Sequence, residues 1–156
     1  IVGVDTNPAK RELAEKFGMT HFVNPSDHGD KLVDALVDVT DGGADYSFEV
    51  VGFPELVRQA FDSVRTTGTA VVVGVQPSGA DVAVDGMELL RDRALIGSWH
   101  GAAQARVDFL WILDLYKQGK IKLDELISKY RPLNELNEAF DDMLKGTVAR
   151  TVLVFE

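Results

Sequence analysis

The first ten residues carry the side chain whose type and place point most directly to chemistry. Ile1-Val2-Gly3-Val4 would suit a buried strand, and it runs into a single carboxylate, Asp5; a turn then leads to Pro8, which can begin a helix. At the end of the second strand of a doubly wound α/β sheet, an acid in this place hydrogen-bonds the ribose hydroxyls of a dinucleotide. The simpler alternative is that Asp5 only opens a turn, as aspartate often does after a strand. The glycine fingerprint that accompanies such an acid is expected about 20 residues earlier, ahead of Ile1. No two glycines in the sequence have the spacing that opens G-x-G-x-x-G. With no initial Met and an opening inside an apolar run, the sequence reads as a fragment.

Other chemistry is thin. There is no cysteine, so thiolate nucleophiles, disulfides and Cys-ligated metal are excluded within these residues. His21, His28 and His100 show no mutual metal-ligand spacing, and none is read as catalytic or metal-binding. Phe109 and Trp111 read as helix packing. The formal net charge of −9, with no basic cluster to offset it, excludes nucleic acid and anionic membrane as partners. No apolar run approaches the roughly 20 residues that cross a bilayer. A soluble, cytoplasmic chain is expected.

The elements that must position Asp5 alternate between strand and helix. Asn7 caps a helix with Leu13, Ala14 and Phe17 on one face and Gly18 as its stop. His21–Asn24 reads as a strand, Asp30–Thr40 as a helix ended by Asp41-Gly42-Gly43, and Tyr46–Val51 as a strand broken at Gly52-Phe53-Pro54. Leu56, Val57, Ala60, Phe61 and Val64 form the next helical face, which Gly68 closes. Thr69–Val75 is apolar on both faces, as a central parallel strand should be. Gln76–Gly79 is its loop, Val82–Val84 a short strand, Met87–Leu90 a helical turn and Ala94–Trp99 another strand. This rhythm implies crossovers and a parallel sheet. After His100 the pattern changes to a long helix over Gln104–Lys117, a strand over Ile127–Tyr130, a helix capped by Asn134 and a final strand over Thr151–Phe155. The tail is α+β in style. Residues 1–99 are expected to form a partial dinucleotide-binding domain and 100–156 a separate segment.

Several segments, in order, resemble the C-terminal part of the medium-chain, zinc-type alcohol dehydrogenases. They are Val4-Asp5 with Lys10, Thr20–Pro25, Thr40–Gly52, Val73-Gly74-Val75, and Leu136–Asp141 with Gly146 and Arg150. The run Asp41-Gly42-Gly43-Ala44-Asp45-Tyr46-Ser47-Phe48-Glu49 is similar to the liver-type and glutathione-dependent formaldehyde dehydrogenase branch. The resemblance implies a Rossmann sheet without its first strand, followed by a tail belonging to the catalytic domain. It implies that Asp5 binds the adenosine ribose of NAD beside Lys10, that Val50 and Val51 bound the adenine, and that Phe53 stacks on it where relatives often carry an arginine. Val73, Gly74 and Val75 would face the nicotinamide, the backbone of Val75 and Ser98 would lie near its carboxamide, Trp99 would adjoin the active site, and Arg150 would reach the pyrophosphate. Without the resemblance, Val50, Val51, Val73 and Val75 read as buried core, and Arg150 as a solvated surface residue.

The resemblance also implies hydride transfer between NAD and an alcohol or hydroxymethyl-thiol adduct, with zinc in the parent enzyme and its ligands outside this chain. NAD is favoured over NADP because Asp5 repels a 2′-phosphate. Trp99-His100 replaces a pair that is usually apolar in relatives, which leaves the alcohol or aldehyde substrate open. Dimerisation by sheet extension through Val82–Val84 and Leu95–Trp99 is implied. Two other readings stay open: a zinc-free quinone or enoyl reductase of the same superfamily, and a non-catalytic nucleotide-binding module. Because the edges of Ile1–Val4 and Tyr46–Val51 would face a missing strand, either the isolated polypeptide is not an independently stable domain or the strand is supplied by residues outside this sequence.

Overall fold

The computed structural model describes residues 1–155. It divides into two compact units, Ile1–Ala103 and Gln104–Glu156.

In the first unit, β1 (Val2–Val4) pairs in parallel with β2 (His21–Val23). Between them Asn7 accepts the Ala9 N–H at 3.0 Å, Pro8 begins a single 3-10 turn, and α1 (Arg11–Lys16) follows. Gly3 is small for a reason: a Cβ there would stand 2.4 Å from Met19 Sδ, and Met19 is buried against the strand. α2 (Leu32–Val39) buries Leu32, and its C-terminus is closed by the Gly42 N–H on Val37 O at 2.9 Å.

The second sheet contains β3 (Ala44–Glu49), β4 (Val64–Val72) and β5 (Ala94–Gly97), all parallel and in that order. Phe48, Val71 and Ile96 lie in register on one face. Ser47, Ala70 and Leu95 lie on the other, under α3 (Pro54–Asp62). There Phe61, Val64 and Ala70 form the core, with Val84 and Leu95 packed against it. Val57, Phe61 and Val64 are fully buried, each worth roughly 1.5–3 kcal/mol of apolar transfer. Among the described residues, β1 has no hydrogen-bonded strand neighbour but β2, and β3 none but β4. The sheet is therefore interrupted where a Rossmann order places its first strand, and the fold is a partial doubly wound α/β architecture.

Several expected boundaries move. Val64 begins β4 instead of extending the helix, because Ser63 already caps α3 through Gln59 O. Gly68 lies inside β4, wedged where a Cβ would meet Arg65 O and Ala44 O within 2.9 Å. Val82–Val84 is not a strand in the single chain; the Ala83 carbonyl is engaged by Arg58 Nη1 at 3.4 Å and Val84 packs against the core. The short helix α4 (Gly86–Leu90) is capped by Asp85, whose Oδ1 accepts the Met87 N–H at 2.9 Å.

The second unit holds α5 (Ala105–Lys117) and a β-α-β unit of β6 (Lys129–Pro132), α6 (Leu136–Leu144) and β7 (Thr151–Val154), its strands parallel. Asn134 does not cap α6; it sits within a 3-10 turn, Leu133–Glu135, which enters the helix directly. Asp142 of α6 ties the unit together. It accepts Lys129 Nζ at 2.9 Å and Arg131 Nη2 at 2.8 Å, both from β6. Among the described residues no helix is long and apolar enough to cross a membrane.

Candidate functional site

Asp5 follows β1 directly, and its N–H is donated to Val23 O at 3.3 Å. Its side chain, 31% exposed, folds over its own turn. Oδ1 accepts the Asn7 N–H at 2.8 Å and Oδ2 accepts Lys10 Nζ at 2.8 Å. Partial burial acts to raise its pKa, but the Lys10 hydrogen bond, the Asn7 N–H and the Lys10 charge together outweigh it and hold the carboxyl below its ordinary value. The result is an ionised acceptor beyond the carboxyl end of a parallel strand, where open α/β sheets bind ligands.

Pairing in the larger sheet stops at Glu49 and Val72, and the residues past those points are apolar yet exposed. Val50 is 65% exposed, Val51 63%, Phe53 53% and Val75 79%. The core reading of these valines therefore does not hold. Phe53 is extended at the entry to α3, with Pro54 in the first helical position. Val73, Gly74, Val75, Ser98 and Trp99, with Val72, Gln76 and Gly97, line a cavity of about 380 Å³. Its two walls are joined by the Ser98 N–H on Val72 O at 2.8 Å. The Trp99 and His100 rings meet in a T-shaped arrangement, 5.0 Å between centroids. His100 and Ala102 have φ of 49° and 52°, a left-handed turn that L side chains seldom adopt.

Arg150 lies in the second unit, exposed, immediately before β7; its carbonyl accepts the Ser128 N–H at 2.9 Å. Asp5 and Lys10 thus form one pair, and Val73, Gly74, Val75, Ser98 and Trp99 form one cavity.

Sequence reasoning assigned no role to Glu49, which is 4% exposed. Its Oε1 accepts the N–H groups of Val51 at 2.7 Å and Gly52 at 2.6 Å, its Oε2 accepts Gln76 Nε2 at 3.2 Å, and its carbonyl accepts the Val73 and Gly74 N–H groups at 2.8 and 3.0 Å. The signal was available: an acid closes an apolar strand here just as Asp5 closes β1. Among the described residues, no group of three or more His, Asp or Glu side chains could hold a metal ion.

The chain is similar to a known family, to known sequences and to solved structures over most or all of its length. The chain matches the family described as zinc-binding dehydrogenase over residues 1–118. It is 42% identical to alcohol dehydrogenase class-3 of Cereibacter sphaeroides, over 99% of this chain and 43% of that protein. It is 36% identical to S-(hydroxymethyl)glutathione dehydrogenase of Paracoccus denitrificans, again over 99% of this chain and 43% of the relative. Among solved structures, benzyl alcohol dehydrogenase from Acinetobacter calcoaceticus superposes with a TM-score of 0.92 at 29% identity, covering 100% of this chain and 42% of that one. The chain spans about two fifths of the length of these relatives. It belongs to the zinc-binding dehydrogenase family.

Proposed function

We propose that this chain is the coenzyme-holding part of an NAD-dependent alcohol dehydrogenase. The observation that carries the reading is the exposed apolar cleft at the ends of β4 and β5, in a family member whose β1 ends in an ionised, partly buried carboxylate. NAD, when bound, accepts or returns the hydride. The residues present fit it. Asp5 accepts from the ribose hydroxyls, and its charge, which Lys10 only partly offsets, opposes a 2′-phosphate. Val50 and Val51 flank the adenine, and Phe53 supplies an aromatic face for it.

Val73, Gly74 and Val75 form the apolar wall against the nicotinamide, and Trp99 lines the cleft beside them. The Ser98 N–H is already donated to Val72, so the backbone contribution of Ser98 to the carboxamide is its carbonyl, beside that of Val75. Arg150 is assigned to the pyrophosphate on the resemblance alone. Residues 1–99 form the NAD-binding portion and residues 100–156 a helix with a segment of the catalytic domain.

Zinc does not fit this chain. No ligand set exists among the described residues, so zinc ligation is assigned to parts of the protein beyond it and no step is derived through the metal. Substrates are small alcohols, aldehydes or hydroxymethyl-thiol adducts, by analogy with the named relatives. Assembly is a homodimer through Val82–Val84 and Leu95–Trp99. The test is titration of the intact protein with NADH and NADPH, followed by intrinsic fluorescence, together with alcohol-dependent NAD reduction. NADH binding at least tenfold tighter than NADPH, with turnover of an alcohol, supports the reading. Tight NADH binding without alcohol turnover moves the protein to a nucleotide-binding module or a zinc-free reductase. No NADH binding removes the proposal.

A further inference from the structure

The loops after β3 and β4 meet backbone to backbone. Gly52 has a φ of +104°, and a Cβ on it would stand 2.3 Å from Val75 O; a Cβ on Gly74 would stand 2.3 Å from Gly52 N and 2.7 Å from Glu49 Oε2. Nothing wider than glycine fits on either side. Against this contact lies the carboxylate of Glu49, almost wholly removed from water. A buried acid is costly unless its oxygens are satisfied, and here they are. Two short backbone N–H bonds reach Oε1 and one amide bond reaches Oε2. The same residue's carbonyl holds the first two N–H groups of the second loop.

Gln76 adds direction. Its Nε2 also lies 3.4 Å from Gly74 O, while its Oε1 is buried with no partner. That orientation is the one a carboxylate selects, because the reverse would set Oε1 against Glu49 Oε2. The arrangement gives up one buried acceptor to keep the charge-assisted bond.

We infer that Glu49 is a positioning residue that sets the separation of the two cofactor loops, residues 50–53 and residues 73–76, and so fixes the nicotinamide wall relative to the adenine wall. The inference rests on the NAD reading above and adds the element that joins its two halves. Glu49 touches no cofactor atom; it acts through the backbone of Val51, Gly52, Val73 and Gly74.

The test uses the intact protein with four variants, Glu49→Ala, Glu49→Gln, Gln76→Glu and the exchange Glu49→Gln with Gln76→Glu, and Asp5→Ala as a reference. Three quantities are read: the Kd of NADH, the emission shift of bound NADH, which reports the surroundings of the nicotinamide, and the Kd of AMP, which reports the adenine side. Glu49→Ala frees the Val51 and Gly52 N–H groups of the adenine-side loop together with the Gln76 amide that ties it to the other, so it is expected to raise the NADH Kd at least tenfold and remove most of the emission shift, and to weaken AMP by a smaller factor. Glu49→Gln keeps an acceptor for both N–H groups and lets Gln76 turn its free Oε1 inward, so a change of about threefold is expected. Gln76→Glu sets two carboxylates face to face and should weaken NADH binding as much as Glu49→Ala does. The exchange restores the complementary pair and should return the NADH Kd and emission to within about threefold of the original.

Should Glu49→Ala fail to fold, Gln76→Glu and the exchange carry the same comparison. Unchanged NADH Kd and emission in Glu49→Ala and Gln76→Glu overturn the inference. So does an equal loss of AMP and NADH binding that the exchange does not restore. If the unaltered protein binds no NADH, or Asp5→Ala binds it equally well, the NAD reading itself fails, and that outcome is distinct from the other two.

Discussion

Gly74 and Gly52 touch through their main chains, so that a methyl group added to Gly74 would have to occupy the place of the Gly52 N and Cα, 2.3 and 2.8 Å away. These obstacles are backbone atoms, which cannot swing aside as a side-chain tip can. Gly74→Ala is expected to destabilise the fold by about 1–3 kcal/mol, the range for overpacking. Gly97→Ala, with nothing within 4 Å of its new methyl, should change stability by no more than about 0.5 kcal/mol. Urea denaturation of the two variants beside the parent checks the contrast.

Asp5 holds Lys10 at 2.8 Å and keeps its negative charge at neutral pH. Asp5→Gly removes both the ribose acceptor and the charge that opposes a 2′-phosphate. The ratio of kcat/KM for NAD to that for NADP should fall at least tenfold. An unchanged ratio would show that coenzyme choice is made elsewhere.

Phe53 and Phe61 are both aromatic residues of the α3 region, but one is 53% exposed and the other fully buried. Phe61→Ala should cost about 3–5 kcal/mol through the cavity it leaves. Phe53→Ala should leave stability within about 0.5 kcal/mol and weaken AMP binding by roughly twofold to tenfold, the worth of one stacking contact. Thermal melts and AMP titrations separate the two effects. Equal losses of stability would place Phe53 in the core.

In the second unit, the hydrogen bonds from Arg131 and Lys129 hold the Asp142 carboxyl below its ordinary value of 3.8. A carboxyl whose folded pKa is depressed stabilises the fold fully above its unfolded pKa and loses that contribution as pH falls through the folded value. Asp142→Asn should therefore melt below the parent at neutral pH. The two melting curves should converge as pH drops from about 4 through the lower folded pKa. A difference that stays constant down to strongly acidic pH would show that the ion pairs contribute nothing.

The alternation of strand and helix was legible because β-branched runs and glycine stops recur along the chain, and Asp5 was legible because a lone acid ends an apolar strand. What escaped was decided by tertiary contacts. Val64 looks helical by spacing but starts a strand because Ser63 has already closed α3. Val82–Val84 alternates like a strand, yet Arg58 engages its central carbonyl and the core takes Val84. Asn134 has the chemistry of a cap, but the chain enters α6 through a continuous 3-10 turn that needs none. Glu49 was overlooked because its partners are mostly main-chain groups contributed by residues beyond its own strand, and composition does not record those.

The bonds that reach Glu49 from Val51, Gly52, Val73 and Gly74 all come from peptide nitrogens. Every amino acid except proline supplies such a nitrogen. The side chains at 51 and 73 are consequently at liberty to vary, and a lineage could retune what its cleft accepts by successive replacements there without disturbing the lattice that spaces its walls. The fixed cost of that freedom falls on one acid and two glycines.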